Sequence, residues 1–144
     1  MFRSILVAAT VAAFVSSPAL AQDYEGLWTG QGEGELELHL SHLDGDVYKL
    51  SLSTVVPISD LGGGCAGGVS GEVALTAEGG TFSTENEGYD PEEETSGFNQ
   101  RYCEVTLRFN DDGSLVLEEQ QGCLYYHGAA CGFSGTVAHD AAGL

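Results

Sequence analysis

Positive charge is what this sequence has least of. Lys and Arg contribute four residues while Asp and Glu contribute 22, so the formal net charge is −18 at pH 7. An acidic surface repels the phosphates of nucleic acids and anionic lipids, whereas it attracts metal cations and basic proteins. The composition therefore predicts no nucleic-acid partner and favours a basic protein as the partner.

Catalytic signatures are also missing. The sequence contains no G-x-S-x-G, H-E-x-x-H or P-loop pattern, and these motifs carry the commonest hydrolytic and phosphate-binding sites. His39 and His42 lie three apart on a predicted strand, so their side chains point to opposite faces and cannot share one metal ion. We predict a non-enzymatic protein with no catalytic residues, no metal site and no cofactor.

Apolar runs long enough to span a membrane are absent as well. The longest run, Ile5 to Val15, is about half of the ~20 residues that a transmembrane helix needs. Arg3 precedes it, and the small-residue cleavage pattern Ala19-Leu20-Ala21 follows it. These features predict a signal peptide over residues 1–21, a single mature domain over residues 22–144 and a periplasmic or secreted location.

The four cysteines are expected to pair in an oxidising compartment. Cys65, Cys103, Cys123 and Cys131 form an even set, which favours two disulfides over metal ligation. Because Cys123 and Cys131 flank a short loop, a local bridge there together with Cys65–Cys103 is the favoured pairing. A Cys103–Cys123 bridge is the competing prediction, because of the strand register considered next.

Apolar alternation predicts two β-hairpins. Pairing Leu40 with Leu50 keeps both apolar sets on one face, and this register requires a three-residue loop, Asp44 to Asp46. In the second hairpin the strand that begins at Cys103 pairs with the one that begins at Leu115, with Gly113 at a left-handed loop position. That register places Cys103 opposite Gln121, so Cys123 is a diagonal neighbour of Cys103 on the same face.

The remaining chain predicts an all-β fold. With only three prolines and 21 glycines the composition suits tight turns, and no segment carries a helical period. Eight short strands indicate an antiparallel meander closed as a barrel or a barrel-like sandwich, since closure removes exposed edges. The further strands are predicted at Tyr24–Gly30, Gly68–Thr76, Gly80–Glu85 and Gly132–His139.

The segment Gly26-Leu27-Trp28 resembles the G-x-W opening strand of calycin-type barrels such as the lipocalins, and this resemblance implies a barrel. In size, compartment, disulfides and expected fold, the chain also resembles the small periplasmic β-barrel lysozyme inhibitors. That second resemblance implies an exported inhibitor of a cationic secreted protein such as lysozyme.

The segment Glu85 to Glu94 is the first candidate site. It has six carboxylates in ten residues, and Asp90, Glu92, Glu93 and Glu94 are its candidate partner-binding residues. Such a segment can meet a Lys/Arg-rich protein or supply oxygen ligands to Ca²⁺. The alternative is a solvated acidic loop that has no dedicated ligand.

The loop between Cys123 and Cys131 is the second candidate site. It carries Tyr125, Tyr126 and His127, and stapled aromatic side chains suit recognition because little rotamer entropy is lost on contact. The alternative is that one tyrosine caps the barrel while the loop returns the chain.

These features together predict an exported binding protein for a basic partner. The alternatives are a small-molecule carrier with a calycin-like interior cavity and an envelope protein that binds divalent cations.

Overall fold

A computed structural model describes residues 23–141, and the predicted signal peptide lies outside the described residues. Within them the all-β prediction is confirmed, since the described chain forms eight antiparallel strands and one short 3₁₀ turn, Cys123–Tyr125. No helix in this range is long and apolar enough to cross a bilayer. The strands are β1 (Gly26–Gly32), β2 (Glu35–Asp44), β3 (Val47–Val56), β4 (Cys65–Ala74), β5 (Gly79–Glu85), β6 (Tyr102–Phe109), β7 (Leu115–Gln121) and β8 (Gly135–His139).

The eight strands form one sheet that curls into a nearly closed barrel. Every strand except β4 pairs with the next strand along the chain, β1 also pairs with β8, and the resulting order is β4-β3-β2-β1-β8-β7-β6-β5. Strands β4 and β5 are therefore the two edges, and a short turn closed by a Thr76–Gly79 bridge joins them. We call the boundary between β4 and β5 the seam.

The barrel interior is filled by side chains from the alternating apolar positions. All of these side chains pack into one buried cluster, because strand alternation sends every second residue inward. The largest fully buried members are Phe82, Phe133, Leu36, Leu38, Leu40, Leu50, Leu52, Leu75, Leu115, Leu117, Val105 and Val137.

The first hairpin has the predicted register but a different loop. Leu40 pairs with Leu50, as the apolar face requires. The expected three-residue loop is wrong: Asp44 pairs with Val47 across a two-residue turn, and a bulge after His42 absorbs the odd residue. Gly45 adopts a φ of 53°, a left-handed conformation that tight hairpin turns need and that glycine adopts without steric cost.

The second hairpin also keeps its predicted apolar register. Leu107 pairs with Leu117, and Gly113 has a φ of 85°, so its predicted left-handed position is confirmed. The placement of Cys103 opposite Gln121 is wrong, because the register shifts between Glu104 and Val105 and Glu104 occupies that place.

The favoured disulfide pairing is wrong, and the competing Cys103–Cys123 bridge is confirmed. The two bonds are Cys103–Cys123, with Cα atoms 4.5 Å apart, and Cys65–Cys131, with Cα atoms 5.9 Å apart. Cys65 begins edge strand β4 while Cys103 lies on β6, behind the other edge, so β5 and the seam separate them. The segment after β7 instead crosses the seam and reaches both sides.

We expect the two disulfides to stabilise the fold unequally. In the chain-entropy description, removing the Cys65–Cys131 bond, which closes a separation of 66 residues, costs about 4 kcal/mol. Removing Cys103–Cys123, with a separation of 20, costs about 3 kcal/mol. Denaturant unfolding of the two double Cys→Ser variants measures both losses. Non-reducing peptide mapping of the unmodified protein checks the pairing itself, and a Cys123–Cys131 peptide would contradict the described structure.

Candidate functional site

The two ends of the barrel differ in their connections. One end carries only short turns, at residues 45–46, 75–78 and 110–114. The other carries three long loops, at residues 57–64, 86–101 and 122–134, together with the short turn at residues 33–34, and we call it the loop end. Long loops on a rigid sheet are where proteins commonly place binding residues.

Exposed apolar side chains concentrate at the loop end. Within residues 23–141 seven large apolar side chains are exposed, and six of them lie in the long loops or within two residues of them. The exception, Leu43, lies beside the turn at residues 45–46. Such clustering marks an interaction surface more often than scattered exposure does. The six are Val55, Ile58, Leu61, Phe98, Tyr102 and Tyr125.

Sequence reasoning missed the loop at residues 57–64. Ile58 is 84% exposed and Leu61 is fully exposed. The loop is held in a turn by reciprocal backbone hydrogen bonds of 3.2 Å between Ser59 and Gly62. The sequence did hold a signal for this loop, because Ile58 and Leu61 lie in a segment rich in Pro, Ser and Gly. Such a segment is not a strand, so burial in a strand cannot explain the two aliphatic residues.

We call the connection at residues 86–101 the acidic loop. It is ordered by the buried side chain of Asn99, which sequence reasoning also missed. Its Nδ2 donates hydrogen bonds to the carbonyl oxygens of Asp90 at 2.9 Å and of Glu93 and Glu94 at 3.2 Å. Its Oδ1 accepts a bond from the backbone N–H of Asp90. Buried amides that satisfy several backbone groups fix the path of a loop.

The candidate residues of the acidic loop divide into two kinds. Asp90 turns its own carboxylate to the backbone N–H of Glu92, 2.9 Å away, so it shapes the loop. The side chains of Glu92, Glu93 and Glu94 are exposed. The carbonyl oxygens that converge here face an amide instead of a cation, and among residues 23–141 no group of three or more His, Cys, Asp or Glu is arranged to hold a metal.

We call the loop between Cys123 and Cys131 the aromatic loop. It crosses the seam and is not closed by a disulfide between its own two cysteines. The carbonyl oxygen of Tyr126 accepts a 3.0 Å hydrogen bond from the backbone N–H of Gly68 on β4. Its hydroxyl donates to the carbonyl oxygen of Glu85 at the end of β5, 3.4 Å away. Tyr126 thus links the two edge strands and also packs against the core, so it closes the barrel.

His127 is buried beneath the aromatic loop. Its side chain is 4% exposed, and its Nε2 lies 2.9 and 3.0 Å from the two carboxylate oxygens of Glu119. Its Nδ1 lies 2.7 Å from the carbonyl oxygen of Gly128. Both ring nitrogens therefore face hydrogen-bond acceptors. Glu119 also accepts the backbone N–H of Phe133 at 2.9 Å, so this pair anchors the loop from below.

Tyr125 is the member of the aromatic loop that faces solvent, with 54% of its surface exposed. Its Cε2 atom lies 3.3 Å from the position that a Cβ on Gly88 would occupy. The acidic and aromatic loops therefore touch, and two segments that the sequence could not relate form one surface.

The pKa of Tyr126 places a carboxylate of the acidic loop near the aromatic loop. Burial raises the pKa of its hydroxyl above the ordinary value of 10.0, and the nearby Glu87 carboxylate raises it further. Glu87, Tyr125 and Tyr126 thus share one region of the loop end.

We expect Glu119→Ala to lower the free energy of unfolding by roughly 2–4 kcal/mol, because it leaves His127 and the backbone N–H of Phe133 without their buried acceptor. The matched control is Glu118→Ala, which removes an exposed carboxylate from the next position of β7 and should change stability by no more than about 0.5 kcal/mol. Urea unfolding at neutral pH measures both variants, and equal effects would show that the pair does not anchor the loop.

Alkaline pH should weaken the barrel through Tyr126. Since its folded pKa is raised, its contribution to stability is retained up to the unfolded pKa near 10 and is lost as the pH rises through the folded pKa. Unfolding measured at stepped alkaline pH should show a shallower decline for Tyr126→Phe than for the unmodified protein. Tyr102→Phe, at an exposed position, controls for the loss of a hydroxyl. Parallel declines for all three proteins would contradict the assignment.

No protein-family model, curated protein or solved structure matches this chain.

Proposed function

We propose that this protein is an exported, non-enzymatic binding protein whose loop end receives a cationic protein, and a secreted lysozyme is one partner of that chemistry. One observation carries the proposal: exposed apolar side chains and a dense set of carboxylates lie together at the same end of the barrel. The two disulfides support an oxidising, extracytoplasmic compartment.

Charge supplies the attraction in this proposal. The three long loops of this end, counted with Glu85 at their border, have seven carboxylates and one cation, Arg101. A field of one sign steers an oppositely charged partner and raises its association rate, and salt screens that effect. The seven are Asp60, Glu85, Glu87, Asp90, Glu92, Glu93 and Glu94.

Apolar side chains supply the anchors. Ile58, Leu61, Phe98 and Tyr125 are exposed, and burying such side chains against a partner is favourable in proportion to the apolar area covered. Interfaces draw most of their energy from a few anchors of this kind, surrounded by a polar rim. The arrangement therefore offers both parts of an interface.

Order in the loops favours binding further. Asn99 fixes the acidic loop through four hydrogen bonds, and the two disulfides hold the aromatic loop at both ends. Preordered loops lose less conformational entropy on association than free ones do.

The alternative functions draw less support. A carrier needs an interior cavity, whereas the inward side chains of this barrel form one packed core. A divalent-cation protein needs converging ligands, and the described residues offer no such group. The clustering of apolar anchors is unexplained by either alternative.

The test is titration with basic and neutral secreted proteins of similar size at rising ionic strength. One variant replaces four loop-end carboxylates (Glu87→Gln, Glu92→Gln, Glu93→Gln, Glu94→Gln), and its control replaces four at the opposite end (Asp44→Asn, Asp46→Asn, Glu78→Gln, Asp111→Asn). Both lose the same charge. We expect the loop-end variant to bind a basic partner about tenfold more weakly at low salt, with a smaller effect for the control.

Two outcomes would overturn the proposal. In one, no basic protein binds more tightly than the neutral proteins at any salt concentration. In the other, the two variants lose affinity equally, which would mean that total charge and not the loop end determines binding.

A further inference from the structure

A groove runs along the outside of the barrel beside the seam. Its volume is about 460 Å³, within the range of ordinary ligand sites. Its floor is the outer face of β3 and β4, where Ser51, Ser53 and Ser70 present small hydroxyl side chains. Its wall includes Tyr125, Glu85 and Glu87. The groove therefore joins a smooth polar floor to an aromatic and acidic wall.

Next to this groove the protein holds an arginine of its own. The Arg101 guanidinium lies 5.2 Å from the centre of the Tyr102 ring, and its Nε lies 3.9 Å from a carboxylate oxygen of Glu85. A cation over an aromatic face is attracted by the ring quadrupole, and a nearby carboxylate attracts it further. A tyrosine and a glutamate thus accompany a guanidinium on this surface.

The groove offers the same two groups with no cation of its own. Tyr125 is more than half exposed, and its ring is held against Gly88. Glu87 lies beside it and forms no ion pair within residues 23–141. No Lys or Arg is among the described residues that line the groove. A guanidinium from outside would find a ring, a carboxylate and several hydroxyl acceptors already in place.

From this juxtaposition we infer that the groove is the receptor for an arginine side chain of the cationic partner. The inference rests on the proposed function and adds the place where one residue of the partner binds. Arginine fits better than lysine because its planar fork of donors matches a carboxylate together with several hydroxyl acceptors and stacks on a ring. The acidic wall favours this occupant over a neutral sugar, which would also use the hydroxyl floor.

The experiment uses the mature protein and a blocked hexa-arginine peptide, followed by amide chemical shifts. Shifts should concentrate at the groove residues Ser51, Gly68, Ser70 and Tyr125. Tyr125→Ser should weaken peptide binding about threefold to thirtyfold, while Tyr125→Phe, which keeps the ring, should retain most of the affinity. Glu87→Gln is a second, independent variant at an exposed position and should weaken binding by a similar factor.

The controls separate the groove from general charge. Leu43→Ser removes an exposed apolar side chain at the opposite end of the barrel, outside the groove, and Glu118→Gln removes an exposed carboxylate elsewhere. Both should bind the peptide as the unmodified protein does. Shifts spread over the whole acidic surface, or equal affinities for all variants, would overturn the inference. So would a neutral chito-oligosaccharide that perturbs the groove where hexa-arginine does not.

The two proposals fail in different ways. If a basic protein binds but Tyr125→Ser and Glu87→Gln bind it unchanged, the groove assignment is wrong and the proposed function stands. If hexa-arginine occupies the groove but no basic protein binds, the proposed function is wrong.

Discussion

Closure of the seam between β4 and β5 is the constraint on which the rest of this structure depends. A curled sheet that stops short of pairing its last two strands leaves two edges open to other chains. Here the segment after β7 covers the opening. One disulfide ties it to β6, the other ties it to β4, and the backbone of Tyr126 bonds to Gly68 between them. The buried side chain of His127 and the partly buried Glu119 support the crossing from below.

The same segment also builds the surface. Because Tyr126 and His127 turn toward the barrel, Tyr125 is left facing solvent. The acidic loop contacts this segment where Gly88 meets the Tyr125 ring, so the carboxylates lie beside the segment that closes the barrel. Stability and the arrangement of the binding residues are coupled in this protein. A change that opened the seam would also move apart the groups that we assign to binding.

Local patterns predicted the hairpins well. Leu40 faces Leu50 and Leu107 faces Leu117 because a one-residue slip would turn an entire apolar face to water. The same reasoning failed where a bulge could absorb the odd residue, as it does beside Leu43 and after Glu104. Asn99 escaped notice because an isolated asparagine in a loop has no periodic signal, and its role depends on carbonyl groups that only the folded loop brings together.

The sequence by itself determined the class of fold, the two hairpin registers and the acidic character of the surface. These follow from side-chain alternation, turn residues and composition, all of which act over a few neighbouring residues. Only the tertiary structure decided which cysteines meet, which tyrosine stays exposed and which loops share an end of the barrel. Those outcomes depend on where the two edges of the sheet come together. Contacts such as Cys65 with Cys131 join residues 66 positions apart, a separation over which no local pattern acts.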